Sequence, residues 1–167
     1  MKVQDVIDAI VADCRLSTPL ERTCDRLVAG RPDMDVTGIV TTFMATVDVI
    51  RKTADIGANL IITHEPTYFN GPDETDWLRD DPVYLAKKKL LEDLGIAVWR
   101  FHDHMHLARP DRIYEGLNRE LGWLDCYKPQ GAFHHVYEIE ERTLAGLAAF
   151  FKEKLNMEVV RVIGRPD

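Results

Sequence analysis

The spacing of apolar residues along the chain predicts helices and strands in alternation. Residues 3–14 carry apolar side chains at helical spacing and predict an amphipathic helix. Residues 18–21 have the form of a capping box with proline at the first helical position, so they predict the start of a second helix. The stretch at residues 22–29 suits either a short helix or an extended segment, and residues 30–33 predict a turn.

Three apolar runs without helical spacing follow, at residues 36–43, 59–63 and 96–101, and they predict buried strands. A helical stretch lies between each pair, which gives the order β-α-β-α-β. Such connections join parallel strands through right-handed crossovers. Strands that are apolar throughout suit a sheet covered on both faces. We therefore predict an α/β layered fold with a mainly parallel sheet flanked by helices.

Polar residues mark where the helices of this region begin. Thr46 can cap a helix over residues 47–56, and Asp81 can cap another over residues 82–94. A glycine follows each helix and can adopt the left-handed conformation that ends it. The second helix is expected to bury one stripe of apolar side chains: Val83, Leu85, Ala86, Leu90, Leu91 and Leu94.

The last third of the chain predicts further elements of both kinds. Residues 111–121 predict a helix that Gly122 ends, and residues 135–139 predict a strand. Thr143 can cap another helix, and residues 159–163 predict a final strand.

The chain has 167 residues, a length that suits about one domain with one sizeable core. We assign residues 1–125 to an α/β domain that carries the candidate metal site. Residues 126–167 form a β-α-β tail, either at the sheet edge or at the start of a further segment.

The net charge and the cysteine content indicate which partners the protein is not expected to bind and which cellular compartment it occupies. The net charge is −7, whereas general binders of nucleic acids or acidic membranes are usually basic. No apolar run approaches the ~20 residues of a membrane span, and residues 1–10 lack a signal-peptide core. The 3 cysteines form no C-x-x-C pair, which indicates a reducing compartment. We expect a cytoplasmic protein.

Histidines concentrate at the ends of two predicted strands. His64 and Glu65 directly follow the second strand, and residues 102–106, which alternate histidine with other residues, directly follow the third. Because neighbouring strands lie about 4.8 Å apart, both segments could serve one site at the carboxyl edge of the sheet. Imidazole and carboxylate suit zinc, iron, manganese or nickel. The sequence therefore predicts a site for one or two divalent ions.

The backbone conformation of residues 102–106 decides which histidines act together. An extended backbone would place His102, His104 and His106 on one side, whereas on a helix only His102 and His106 share a face. Asp103 lies between them and could hold a backbone amide or orient a ring.

Other residues near the candidate site have two interpretations. Glu65 could bind a second metal or accept a proton from water, or it could pair with Arg100 or Arg109. Residues 68–77 could form a lid over the site or a solvated acidic loop with its tryptophan on the next helix. The pair at residues 134–135 is expected to be a partly exposed sheet-edge pair.

At these residues the chain resembles the Nif-three-like family, also called the DUF thirty-four or dinuclear-metal-centre family. Some of its members are described as similar to GTP cyclohydrolase type two. The resemblance extends over residues 36–122. It is strongest at residues 57–66, where a strand runs into a histidine and a proline, and at residues 102–106.

The resemblance implies that His64, Glu65 and His106 are metal ligands and that His102 and His104 are neighbouring or catalytic groups. The family carries a second histidine where this chain has Glu65, and an aspartate where it has His106. Its C-terminal part returns a histidine and a glutamate to the metals, and no convincing pair follows in this chain. We therefore expect either a fragment or a member whose site is incomplete or completed differently.

These observations lead to three functional hypotheses. The first is a metal-dependent hydrolase that acts on a phosphoester or nucleotide-like small molecule, a substrate class that the resemblance suggests. The second is a non-enzymatic metal-binding or regulatory module with an incomplete site. The third is a metal-free interaction protein whose histidines are structural. The resemblance also implies a homo-oligomer.

Overall fold

A four-stranded sheet organises the first part of the computed structural model, which describes residues 1–69, 71, 73–130, 134–165 and 167. The chain divides into two compact units, Met1–Arg109 and Pro110–Asp167. The functional division that we place after residue 125 stays a prediction. Among the described residues, no helix has the length and apolar character needed to cross a membrane.

The elements of the first unit are α1 (Val3–Asp13), β1 (Arg26–Ala29), β2 (Ile39–Thr42), α2 (Val47–Asp55), β3 (Leu60–Thr63), a 3-10 turn (Asp76–Leu78), α3 (Pro82–Asp93), β4 (Ala97–Arg100) and α4 (Asp103–Leu107). From β2 to β4, the strands and α-helices of this unit alternate as the sequence predicts.

The strand order in the sheet is β1-β4-β3-β2. Strands β2, β3 and β4 run parallel, which confirms the α/β fold class. Strand β1 runs antiparallel to β4 and pairs Arg26 with Arg100. The sequence is compatible with either a helix or a strand at residues 22–29, and in the structure residues 26–29 form a strand.

Alternate residues of β3 enter different core clusters. Leu60 and Ile62 pack in a cluster with Val3 and Val6 of α1. Ile61 packs in a second cluster with residues of α2 and α3. All four residues of β3 are buried, which explains why residues 60–62 are consecutively apolar instead of alternating with polar residues.

Side-chain caps begin α2 and α3 at the predicted residues. The hydroxyl of Thr46 accepts a hydrogen bond from the amide of Val49 at 3.3 Å. The carboxylate of Asp81 accepts one from the amide of Tyr84 at 2.8 Å. These bonds satisfy amides that have no partner within the helix, so the prediction of both helix starts is confirmed.

The predicted buried face of α3 is wrong in part. Leu91 is buried, whereas Val83 is 75% exposed and Leu85 and Leu94 are also exposed. Leu91 instead shares a face with Tyr84 and Lys87, which are half-buried. Lys87 donates to the carbonyl of Thr67 and lies 5.7 Å from the ring centre of Tyr68. A lysine stem can cover apolar surface, so counting only apolar residues misplaces the buried stripe.

Two other predictions of local structure are wrong. Residues 18–21 begin no helix; they lie in turns and irregular backbone that lead to β1. Residues 159–163 form no strand and pair with none of the strands in the described part of the chain. Ile163 is 90% exposed. A β-branched run needs a neighbouring strand to complete its hydrogen bonds, and this run has none.

In its described residues, the second unit contains two helices and a two-stranded antiparallel sheet. Its elements are α5 (Arg112–Leu121), β5 (Tyr127–Gln130), β6 (His134–Tyr137) and α6 (Leu144–Lys154). Asp111 caps α5. Gly122 ends α5 at φ 69° and Thr143 caps α6, as predicted. Strand β5 was not predicted because it contains a proline, which disfavours a strand interior.

Candidate metal centre

The parallel pairing of β3 and β4 brings the histidine segments together. Thr63 pairs with Arg100 at the carboxyl ends of the two strands. His64 and residues 101–102 directly follow these strand ends. The short helix α4 then makes one turn, in which the amide of His106 donates to the carbonyl of His102 at 3.1 Å. This turn returns His106 to the same edge, so three histidines converge.

The ring nitrogens of these three histidines lie close enough together that they could hold one ion. His64, His102 and His106 each offer a ring nitrogen, and these nitrogens lie within 4.8 Å of one another. The Nε2 atoms of His64 and His106 are 3.3 Å apart. Two imidazoles bound at ordinary zinc–nitrogen distances in a tetrahedron would have nitrogens about 3.3 Å apart. The donor set therefore fits a divalent metal.

Hydrogen bonds orient two of the rings toward this arrangement. The Nδ1 atom of His102 lies 2.9 Å from Oδ1 of Asp103. The Nδ1 atom of His64 lies 3.4 Å from the carbonyl oxygen of Phe101. Metal-binding histidines commonly donate their other ring nitrogen to a carboxylate or a carbonyl in this way. Nε2 remains as the nitrogen of each ring that can bind an ion.

The surroundings of His64 favour its neutral form. Its side chain is buried, and its ring lies 5.4 Å from the exposed ring of Phe43. Burial, followed by the nearby imidazoles of His102 and His106, lowers the pKa of His64 below its usual value. A metal ligand must be the neutral imidazole, so this shift assists binding.

His104 lies outside the three-histidine group. Residues 103–107 are helical, so of the two arrangements considered for this segment the structure has the one in which His102 and His106 act together. The Nδ1 atom of His104 lies 2.7 Å from Oδ2 of Asp25. Its catalytic role stays a prediction.

Glu65 is half-buried and belongs to no group of converging donor atoms in the described residues. Neither arginine considered as its partner pairs with it there. Arg100 donates to the carbonyls of His64 and Gly71, and Arg109 donates to the carbonyls of residues 106–108. Its role as a ligand stays a prediction.

The family model of Duf34/NIF3 (NGG1p interacting factor 3) matches residues 1–167. The chain belongs to the Duf34/NIF3 family. It is 40% identical over 130 residues to a GTP cyclohydrolase 1 type 2 homolog of Staphylococcus epidermidis, covering 78% of this chain and 34% of that protein. A homolog of the same name from Staphylococcus aureus is 31% identical over 71 residues, covering 42% of this chain and 19% of that protein. The chain thus spans about a third or less of these curated relatives.

Solved structures support the fold of this Duf34/NIF3 chain. The crystal structure of Staphylococcus aureus protein SA1388 matches with a TM-score of 0.73 and 21% identity, covering 99% of this chain and 69% of that one. A Bacillus cereus protein related to NIF3 matches with a TM-score of 0.75 and 14% identity, covering 100% and 73%. Similarity at these identities shows the fold alone.

A second group of donor atoms lies beside the first in this Duf34/NIF3 chain: Cys24, His102 and Asp103. The thiol of Cys24 donates to Oδ1 of Asp103 at 3.3 Å. Burial, followed by the bond to Asp103, raises the pKa of Cys24 to about 11. Burial alone would raise the pKa of Asp103, but hydrogen bonds from Cys24 and His102 lower it well below its usual range. The group is therefore a hydrogen-bonded network that holds the ring of His102.

The loop after His64 is fixed by a buried carboxylate. Asp73 accepts hydrogen bonds from the amides of Thr67, Tyr68 and Phe69 at 2.9–3.1 Å. Trp77 is exposed, and its ring contacts that of Phe69 with centres 5.0 Å apart. Part of the predicted lid, at residues 70 and 72, lies outside the described residues. The role of the loop as a lid stays a prediction.

One residue of the site was missed by the sequence analysis. Asp25 accepts hydrogen bonds from residues 102–104, although it precedes them by 77 to 79 positions. No metal-ligand spacing marks it as a site residue, because its partners follow another strand end. Only the pairing of β1 with β4 would have located it.

Proposed function

We propose that this chain binds a divalent metal ion through His64, His102 and His106 and hydrolyses a phosphoester or nucleotide-like small molecule with it. The observation that carries the proposal is the convergence of three imidazoles, one of them oriented by a carboxylate. The names of the curated relatives support a nucleotide-like substrate. Imidazole donors suit zinc, iron or nickel, and a carboxylate such as that of Glu65 would also suit manganese.

The ligand set favours an anionic substrate. The ion would supply Lewis-acid polarisation of a phosphoryl or carbonyl oxygen and activation of water. Its three histidine ligands carry no charge in their neutral form, so they do not cancel the positive charge of a divalent ion. The site would therefore attract a phosphate group more strongly than a site built from carboxylates. Three protein ligands are also the usual number in catalytic zinc sites.

Two neighbouring residues supply groups for proton transfer. Glu65 follows His64 directly, and its half-buried carboxylate can accept a proton or bind a second ion. His104 engages Asp25 through Nδ1, which leaves Nε2 as the nitrogen for proton exchange. We assign both residues supporting roles at the site.

The decisive measurement is the metal content of purified protein and of single variants. We expect the wild-type protein to bind zinc or cobalt, and His64→Ala and His106→Ala to lose most of that binding. His134→Ala is the matched control, because His134 is exposed on β6 in the second compact unit. Unchanged metal content in both site variants would remove the proposal.

Activity separates the hydrolase from its main alternative. Metal-loaded protein is screened against phosphoesters, nucleotides and cyclic amides. Turnover that His106→Ala abolishes supports the hydrolase. Tight metal binding without turnover supports a non-enzymatic metal-binding or regulatory module instead.

The oligomeric state is a separate prediction. Light scattering on the same samples measures the molecular mass and so tests whether the protein is the homo-oligomer that we expect from the family.

A further inference from the structure

Because β1 is antiparallel to β4, the residue that precedes β1 lies at the same edge of the sheet as the candidate metal site. Parallel strands bring their carboxyl ends to this edge, as β3 and β4 do. Strand β1 runs the other way, and its first residue, Arg26, pairs with Arg100 at the end of β4. Asp25 directly precedes β1. The topology therefore places Asp25 beside the segment that follows β4.

The carboxylate of Asp25 organises that segment. Its Oδ1 accepts the amides of His102 and Asp103, each at 2.7 Å. Its Oδ2 accepts the amide of His104 at 3.0 Å and lies 2.7 Å from Nδ1 of the same residue. The Asp25 side chain is only 3% exposed. One buried carboxylate therefore fixes three consecutive amides at the start of α4.

Asp103, in the segment after β4, in turn accepts a hydrogen bond from the residues before β1. Its Oδ2 accepts the amide of Cys24 at 2.8 Å, and its Oδ1 lies 2.9 Å from Nδ1 of His102. The two aspartates thus hold residues 24–25 and 102–104 together from both sides. The second aspartate also contacts the ring of a proposed metal ligand.

We infer that Asp25 is a positioning residue that sets His102 and His106 against His64 and so determines the metal affinity of the site. The inference rests on the proposed metal site. Asp25 touches none of the three proposed ligand rings in the described contacts. It acts through the backbone at the start of α4, one turn before His106. The energy of ordering this turn is supplied by folding, so an arriving ion need not supply it.

The test compares Asp25→Asn with two variants by cobalt titration, following the visible absorption of the bound ion. Asn is close in size to Asp but presents an NH2 group to amides that need an acceptor. We expect about 10- to 100-fold weaker cobalt binding and shifted absorption bands. Asp33→Asn, at an exposed turn, is the matched control and should bind as the wild type does. His104→Ala keeps the three amide bonds and should lose much less affinity than Asp25→Asn.

Amide hydrogen exchange without metal supplies a second readout. Faster exchange at residues 102–104 in Asp25→Asn, together with weaker binding, supports the inference. A purely structural role would lower the denaturation midpoint and leave the cobalt affinity of the folded molecules unchanged, and that result overturns it. Failure of the wild-type protein to bind cobalt removes the proposed function, and the inference falls with it. If Asp25→Asn does not fold, Asp25→Ser, which keeps one acceptor oxygen, replaces it with the same outcomes.

Discussion

Two regions of the chain place histidines close together in sequence, and they differ in what those histidines contact. In the first unit, His102 and His106 lie with His64 in one group of donor atoms. In the second unit, His135 stacks on Tyr114 with ring centres 3.3 Å apart, and its Nδ1 lies 2.7 Å from the hydroxyl of Tyr127. Its neighbour His134 is exposed, so the pair is partly exposed, as predicted.

The difference shows that histidine density alone does not make a metal site. Adjacent residues of a strand point to opposite faces, so His134 and His135 on β6 cannot both face one ion. His102 and His106 are four apart on a helical turn and share a face. A parallel neighbouring strand then adds His64 from 42 positions away.

The largest expected difference between the two regions is stabilisation by metal. Zinc at about 100 times its dissociation constant should stabilise the wild-type protein by about 2.7 kcal/mol. His106→Ala should lose most of this gain, and His134→Ala should keep it. Hydrogen exchange at the β3 and β4 amides measures the effect within the first unit. Equal stabilisation of both variants would mean that the ion binds elsewhere.

A change in the second unit should affect stability without affecting metal binding. Asn118 is 1% exposed, and its Oδ1 accepts the hydroxyl of Tyr137 at 2.7 Å. Tyr137→Phe leaves that buried oxygen without its donor, at a cost of about 1–3 kcal/mol. Urea denaturation followed by tryptophan fluorescence measures the loss. A weakened cobalt affinity in this variant would contradict the separation of the two regions.

A smaller effect is expected from the histidine of the second unit. His135→Phe keeps a flat ring for stacking on Tyr114 but removes the hydrogen bond with Tyr127. We expect a loss of about 0.5–1.5 kcal/mol in unfolding free energy. Metal content should match that of the wild type. Loss of metal from this variant would place a ligand in the second unit and break the comparison.

The smallest expected effect concerns pH in the absence of metal. The pKa of His64 is lowered from 6.5, because burial and neighbouring imidazoles disfavour its charged form. The unfolded chain therefore takes up a proton first as pH falls, so stability declines from about pH 6.5 down through the folded pKa. His64→Gln should flatten this decline in urea midpoints measured with a chelator present, whereas His135→Phe should keep it. An unchanged slope in His64→Gln would show that another group causes the decline.

The sequence predicted much of the local structure. Thr46, Asp81 and Thr143 each cap the helix that follows, because a capping bond joins atoms only three residues apart. The helical stripe of α3 was misjudged, since whether Lys87 or Val83 faces the core depends on what lies opposite. Strand β1 was left undecided for the same reason.

The candidate site was predictable in its residue types and strand ends but not in its detailed composition. Parallel strand ends indicated that His64 and residues 102–106 would meet, and the structure brings three of those histidines together. The histidine spacing at residues 102–106 allowed either an extended or a helical backbone. The structure has a helix there, which places His104 on a different face from His106. Asp25 lies outside both histidine segments, so their spacing did not mark it as a site residue.

By itself, the sequence determined where α2, α3 and α6 begin, which three runs form the parallel strands and which side chains could bind a metal. These properties depend on atoms a few residues apart and on the chemistry of each side chain. Only the tertiary structure decided the direction of β1, the partners of Asp25 and the 3.3 Å separation of the Nε2 atoms of His64 and His106. Those outcomes depend on contacts across 42 to 79 positions, which form only when the sheet and both of its core clusters assemble.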